Sequence, residues 1–341
     1  MNPTGIIAVV GQCSVERSRY ARQLAAHTKR FCLPATWIER SRTPIEQAIL
    51  LATETSSGPE VVVEMPRDVI VKELIGELAN GHENASLISL VCVIDVACVL
   101  ADLDGGEHLP LGSPADGDVF EVVARAQLMV EQIEYASTVV LVNWERCATA
   151  PLATLMALVN HLSPRAALTL FGTGNERVET NHDYAARQDR AGWVSVLNGD
   201  FAPYMADSRV SALRYEQVRP LHPQRLQRLL DDRIEPGEFG RVVRSAGFCR
   251  LATRTQIVAQ REHVGKVISL NPIATDAIGA DDDELLACGQ ELAFIGLDLD
   301  HDALIAALDE AALTDEEFAA GPVNWATFVD PFPEWMRVSD H

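Results

Sequence analysis

The sequence predicts an α/β protein, a parallel sheet with helices on both faces, followed by a smaller α+β domain. Three observations predict it. Short apolar runs alternate with helix-period stretches over the first two hundred residues. After about residue 200 that alternation gives way to a mixed pattern. The chain of 341 residues is 48% apolar and 23% charged, enough to build packed cores and long enough for two domains.

The first half justifies the sheet element by element. Gly5 to Val10 is an apolar run ending at Gly11, which reads as a buried strand. Residues 15–27 form the next element, a helix, with Val15, Tyr20, Leu24 and Ala25 at near-helical spacing. Ser56-Ser57-Gly58-Pro59 is a turn signal, and Glu60 to Glu64 is the next buried strand. Leu87 to Val99 reads as a third strand with Asp95 inside it. Residues 118–136 read as an amphipathic helix with Phe120, Val123, Leu128 and Ile133 on its apolar face. Thr138 to Val142 is a strand ending at Asn143; residues 151–162 are helical; Ala166 to Phe171 is a further strand. Runs this continuously apolar belong to a sheet covered on both sides.

The second half starts from a boundary between about 195 and 208, at Asn198-Gly199-Asp200 and Pro203, giving domains 1–200 and 205–341. Val210 to Val218 alternates as a strand, and a short helix comes next at 224–232. Val242 to Ser245, Phe248 to Ala252, Val267 to Leu270 and Leu292 to Leu297 read as strands, and 301–312 as a helix. Asp281-Asp282-Asp283-Glu284 reads as a solvated loop.

Charge and cysteine usage exclude several classes. The net charge of −21 opposes indiscriminate nucleic-acid binding. It is unevenly spread: residues 205–270 hold 12 basic and 7 acidic side chains, and residues 271–341 hold 1 and 17. The seven cysteines form no CxxC or CxC pair, which opposes a disulfide framework and a compact cysteine zinc site. No apolar run reaches the ~18 residues of a membrane helix. The start carries no basic segment ahead of an apolar stretch, so the expected location is the cytoplasm, with no membrane partner and no sequence-specific DNA.

The turn after a first strand is the usual phosphate site of an α/β domain. A P-loop reads G-x-x-x-x-G-K-[ST] there, its backbone N–H groups wrapping the phosphates. This chain has Gly11-Gln12-Cys13-Ser14-Val15-Glu16-Arg17-Ser18. Gly11 and Ser18 fit, Glu16 puts a negative charge where anions approach, and Arg17 keeps a charge without the ammonium geometry. Gly11, Ser14, Arg17 and Ser18 are the candidate phosphate residues. Glu64 and Asp95 end buried strands, where a carboxylate holds Mg²⁺ directly or through water, or simply caps the strand. A guanine-reading loop would be Asn-Lys-x-Asp; here it is Asn143-Trp144-Glu145-Arg146, and Arg146 accepts no hydrogen bond.

With these positions in place, the second half resembles the CobW family of P-loop GTPases and metallochaperones. The stretches that carry the resemblance are Arg190 to Val194, Arg214 to Pro223, Val243 to Ala252 and Glu291 to Asp300. The tail from Ala307 to Trp335 matches as well, with Leu313 to Phe318 and Asp330 to Trp335. The first half matches by layout, at Val63-Glu64-Met65-Pro66, Val93 to Asp95, Glu131 to Ile133 and Val142-Asn143. The resemblance implies a P-loop NTPase-like fold, GTP and Mg²⁺ as cofactors, zinc as cargo and a protein client. The family's Cys-x-Cys-Cys metal motif is missing: residues 28–60 contain only Cys32. Within the family the chain looks most like the YciC-like zinc-limitation branch and its actinobacterial ribosome-remodelling factors, which act with a hibernation factor. Phosphate loop, base loop and metal motif all depart together. The expectation is therefore a non-catalytic adaptor of zinc homeostasis, with a GTP-dependent zinc metallochaperone as the alternative. Its contact with a protein or ribosomal partner is expected at Arg219, His222, Arg225 and Arg228, where Arg225 and Arg228 share a helical face.

Overall fold

The computed structural model describes residues 3–55, 58–79, 84–110, 122–174, 178, 180, 184, 190–254, 256–275 and 289–333. The chain divides into two compact units, residues 1–192 with 202–207, and residues 193–201 with 208–341.

The first unit is built on six parallel strands. They are β1 (Thr4–Val10), β2 (Phe31–Leu33), β3 (Glu60–Glu64), β4 (Ala85–Asp95), β7 (Thr138–Val142) and β8 (Ala167–Leu170), and they lie in the order β2-β3-β1-β4-β7-β8. Helices α1 (Ser14–Thr28), α2 (Pro44–Thr55), α3 (Val71–Ala79), α4 (Val99–Asp104), α5 (Arg125–Glu134) and α6 (Thr149–Leu162) supply the crossovers. A small antiparallel ladder, β5 (His108–Pro110) with β6 (Val122–Ala124), stands apart. One sheet face is Ile7, Val9, Val62, Val91, Val93, Val140 and Val142, packed against Tyr20, Ala21, Leu24 and Ala25 of α1. Alternate residues of β1 are equally buried on the other face, so the run is apolar throughout.

The second unit is an antiparallel sheet in the order β12-β11-β10-β13-β9. Its strands are β9 (Val210–Gln217), β10 (Arg241–Cys249), β11 (Ile257–Val264), β12 (Val267–Thr275) and β13 (Gln290–Leu297). Helix α7 (Gly192–Asn198) precedes it. Helices α8 (Pro223–Leu229) and α9 (His301–Ala311) cover one face, over a core that includes Leu213, Tyr215, Leu226, Leu292, Phe294 and Leu308. The short helices α10 (Asp315–Ala320) and α11 (Pro322–Trp325) close the described chain.

Four local readings change. The helix expected over 118–136 begins at Arg125, because Val122–Ala124 pairs with β5 instead; Phe120 lies outside the described residues. The strand expected to run to Val99 ends at Asp95. Two strands expected at 242–252 are one strand, β10. Gly247 is no break: its φ of 143° and an imagined Cβ 2.1 Å from the Glu291 carbonyl show a glycine that lets β13 pass close. Strand β11 escapes the apolar pattern because Arg261, Glu262 and His263 occupy its middle. Asp281 to Glu284 lie outside the described residues.

Candidate functional site at the strand ends

The C-terminal ends of β1, β3, β4 and β7 converge where open α/β sheets bind ligands. β1 ends at Val10 and α1 begins at Ser14, so only Gly11, Gln12 and Cys13 connect them. Gly11 is required there: its φ is 147°, and a Cβ would stand 2.4 Å from the Val93 carbonyl oxygen. Arg17 N already donates to Cys13 O at 2.9 Å, so Ser14, Val15 and Glu16 form a first helical turn rather than a loop.

Glu64 is the hub of this region. It ends β3 with only 3% exposure. Its Oε1 accepts from Arg17 Nε at 3.3 Å and from Ser18 Oγ at 2.5 Å, and its Oε2 accepts from Ala35 N at 3.4 Å. Arg17 Nη1 donates to the Gly11 carbonyl at 2.6 Å. Burial draws the Arg17 guanidinium below its ordinary pKa and the Glu64 carboxylate opposes that. The cation and the hydroxyl expected to meet phosphate and Mg²⁺ are thus both turned inward onto one carboxylate. Ser14 is exposed at the first position of α1.

The neighbouring strand ends are tied in the same way. Asp95 Oδ1 accepts from Ala97 N at 2.9 Å, and Oδ2 accepts from Asn143 Nδ2 at 2.9 Å. Asn143, in the left-handed region at φ 59°, therefore addresses Asp95. Trp144 Nε1 donates to the Phe171 carbonyl at 2.9 Å. Gln12, which no phosphate-loop pattern singles out, is buried and donates to the Arg67 carbonyl at 2.9 Å and Gln132 Oε1 at 3.2 Å. Burial first, then Asp95 and Glu16, push the Cys13 thiol up to about 11.

A nucleoside triphosphate with Mg²⁺ does not fit this turn. Three connecting residues cannot wrap a phosphate as the longer loop does. Arg17 and Ser18 are committed to Glu64, and Glu16 is a carboxylate at the crevice. Cys32 sits on β2 beside Val62, half-buried, its thiol pushed up by burial. Among the described residues the group with metal-ligand spacing is Cys13, Glu16 and Asp95, and Cys32 is not in it.

The four residues expected to meet a partner lie around α8. Arg219 Nη1 donates to Asp315 Oδ1 at 2.7 Å. Arg225 forks onto Glu317 at 3.0 and 2.6 Å and also reaches the Ala312 carbonyl at 2.7 Å. The His222 ring stacks on Phe328 with centroids 4.5 Å apart; burial and the Arg225 charge hold its pKa down. Arg228 is exposed and carries no ion pair among the described residues. It borders a groove with Leu229, Asp232, Arg233, Ala307 and Glu310.

Residues 210–312 match the family described as the cobalamin synthesis protein cobW C-terminal domain. Over these residues the chain is similar to that CobW C-terminal domain. The match spans β9 to α9 and the first residue beyond, so the resemblance read from Arg214 to Pro223, Val243 to Ala252 and Glu291 to Asp300 holds. Curated relatives extend the likeness. The zinc-regulated GTPase metalloprotein activator 1 of Dictyostelium discoideum is 25% identical over 285 residues, 76% of this chain and 59% of that protein. A zinc chaperone of Mycobacterium tuberculosis is 28% identical over 274 residues, 71% of this chain and 62% of that protein. The chain thus spans about three-fifths of the length of these relatives. Superposition on the Zn(II)-bound YjiA GTPase from E. coli gives a TM-score of 0.40 at 12% identity, covering 92% of this chain and 100% of that one. No helix among the described residues is long and apolar enough to cross a membrane.

Proposed function

We propose that this CobW-domain protein acts in zinc homeostasis as a non-catalytic adaptor, its nucleotide site closed and its work done by binding a protein partner. The observation that carries this reading is the closure of Arg17 and Ser18 onto Glu64 behind a three-residue turn. Phosphoryl transfer depends on positioning and charge stabilisation by cradle, cation and Mg²⁺-binding hydroxyl acting together. Here the cation Arg17 and the hydroxyl Ser18 are both held by Glu64. The zinc context is supported by the names of the relatives, a zinc-regulated activator and a zinc chaperone. Partner contact is assigned to the α8 face, where Arg228 is exposed.

The test is equilibrium binding of GTP with and without Mg²⁺, then single-turnover hydrolysis. The expected result is no saturable binding and turnover at background. Robust turnover that disappears in Ser18→Ala would overturn the adaptor reading in favour of a GTP-dependent metallochaperone.

A further inference from the structure

The closed turn leaves three donor side chains pointing at one another. Cys13 ends the turn, Glu16 stands in the first turn of α1, and Asp95 ends β4. One ligand atom from each, a thiol sulfur and two carboxylate oxygens, lie within 4.8 Å of one another, and all three residues are half-buried. Around a tetrahedral zinc ion, with Zn–S of about 2.3 Å and Zn–O of about 2.1 Å, such atoms stand about 3.4–3.6 Å apart. The separations in the structure, up to 4.8 Å, are wider than that by about 1.2–1.4 Å at most.

The electrostatics of the spot ask for a cation. Two carboxylates whose oxygens come within 4.8 Å of each other form a place where a cation is attracted by both. Glu16 has no hydrogen bond or ion pair among the described residues. Among the described residues Asp95 accepts from the neutral donors Ala97 N and Asn143 Nδ2. Arg125 is spent on Asp102 and Glu107. The Cys13 side chain caps nothing, which leaves its sulfur available. The Asn143 and Ala97 bonds meanwhile fix the plane of the Asp95 carboxylate, as outer groups do for a metal ligand.

The donor set selects the ion. Mg²⁺ takes oxygen ligands in octahedral array, and a thiolate is a poor substitute. One sulfur with two oxygens suits zinc. We propose that Cys13, Glu16 and Asp95 form a three-ligand zinc site, with water in the fourth position and Asn143 as a positioning residue. On this assignment Glu16 is no defect of a phosphate loop. It is the substitution that turns an anion crevice into a cation site, and the site goes beyond the adaptor reading.

The experiment is competition of Zn²⁺ between the full chain, free of nucleotide, and a chromogenic chelator. One equivalent is expected to bind. Cys13→Ser is expected to weaken binding at least tenfold, Glu16→Gln and Asp95→Asn likewise, and Asn143→Ala by about 10–100-fold. Co²⁺ loaded in place of zinc is expected to show a thiolate charge-transfer band that Cys13→Ser abolishes. Thermal melts of the zinc-free variants establish that they are folded, and Cys13→Ala serves if Cys13→Ser is not. Absence of zinc binding, binding unchanged in folded Cys13 variants, loss in Cys32→Ser instead, or equal competition by Mg²⁺ would each overturn the assignment. Because no nucleotide is present, failure here leaves the adaptor reading standing, and GTP turnover would overturn that reading without touching this one.

Discussion

Ser18 donates to Glu64 across a gap of 2.5 Å, joining the first helix to the end of the third strand. A second donor, Arg17, meets the same oxygen, and both members of that ion pair are almost wholly buried. The pair is costly to break from one side, because the remaining charge is left without water or partner.

Glu64→Gln tests this. It keeps the side chain's shape and removes the charge that holds Arg17. The expected loss is about 3 kcal/mol of unfolding free energy, as for other buried pairs reduced to one member. Urea denaturation measures it; a change under about 1 kcal/mol would show that water reaches Arg17 easily.

The second unit is expected to carry an acid-sensitive clasp. Hydrogen bonds from the Arg225 fork hold the Glu317 carboxyl at about 2, below its ordinary 4.5. A carboxyl depressed on folding adds stability above 4.5 and loses it as pH falls toward 2. Glu317→Gln should therefore flatten the fall in stability across that window and leave the slope near neutrality unchanged. Denaturant midpoints at half-unit pH steps decide it.

His263 gives a separate signature at milder pH. Burial first, then Arg261, hold its imidazole at about 3 instead of 6.5. It sits at the end of a buried chain in which Arg261 Nη1 donates to Ser245 Oγ at 2.7 Å and His263 Nε2 donates to the Gly265 carbonyl at 2.6 Å. The unfolded chain takes up the proton first, so stability is complete above 6.5 and declines as pH falls from there toward 3. In His263→Gln that decline between pH 6.5 and 5 should shrink, as read by thermal melts across the range.

Charge reversal should separate Arg228 from its neighbour. Arg228→Glu changes an exposed side chain with no ion pair among the described residues, so the melt is expected to stay within about half a kcal/mol. Arg225→Glu breaks the bonds to Glu317 and Ala312 and is expected to lower the melt clearly. Co-sedimentation with ribosomes across a salt series, run on both variants, tests the partner face. Affinity that falls with salt and is weakened by Arg228→Glu supports the contact; binding unaffected by Arg228→Glu places it elsewhere.

The sheet is legible in the sequence because burial on both faces writes itself as continuous Val and Ile runs, as in β1, β3 and β7. The site is legible in position but not in orientation. The helical pattern from Val15 through Tyr20 and Leu24 puts Val15 on the core face, yet Val15 is 75% exposed. Residue 17 holds that core place, because the buried positions of α1 are Arg17, Tyr20, Ala21, Leu24 and Ala25. A charged residue in an apolar stripe is invisible to periodicity, and only the Glu64 carboxylate opposite makes it tolerable. The length of the turn is equally hidden. A motif fixes letters eight apart, whereas Ser14 to Glu16 can be loop or helix with the same letters. Cys13 and Glu16 are each visible in the turn; what brings them together with Asp95 is the pairing of β1 with β4, a contact across eighty residues.

The carboxylates of the terminal segment have one more consequence. Asp315, Glu317 and Asp330 cover Arg219, Arg225 and Arg254, each within 2.8 Å of its partner. Loss of this segment would remove all three acids and leave all three guanidinium groups behind. The shortened chain would gain a cationic surface of its own, and with it a grip on polyanions that is released by added salt. Acid residues near the end of the chain thus act as a sheath over basic ones, and clipping them off would reverse the sign of what this surface attracts.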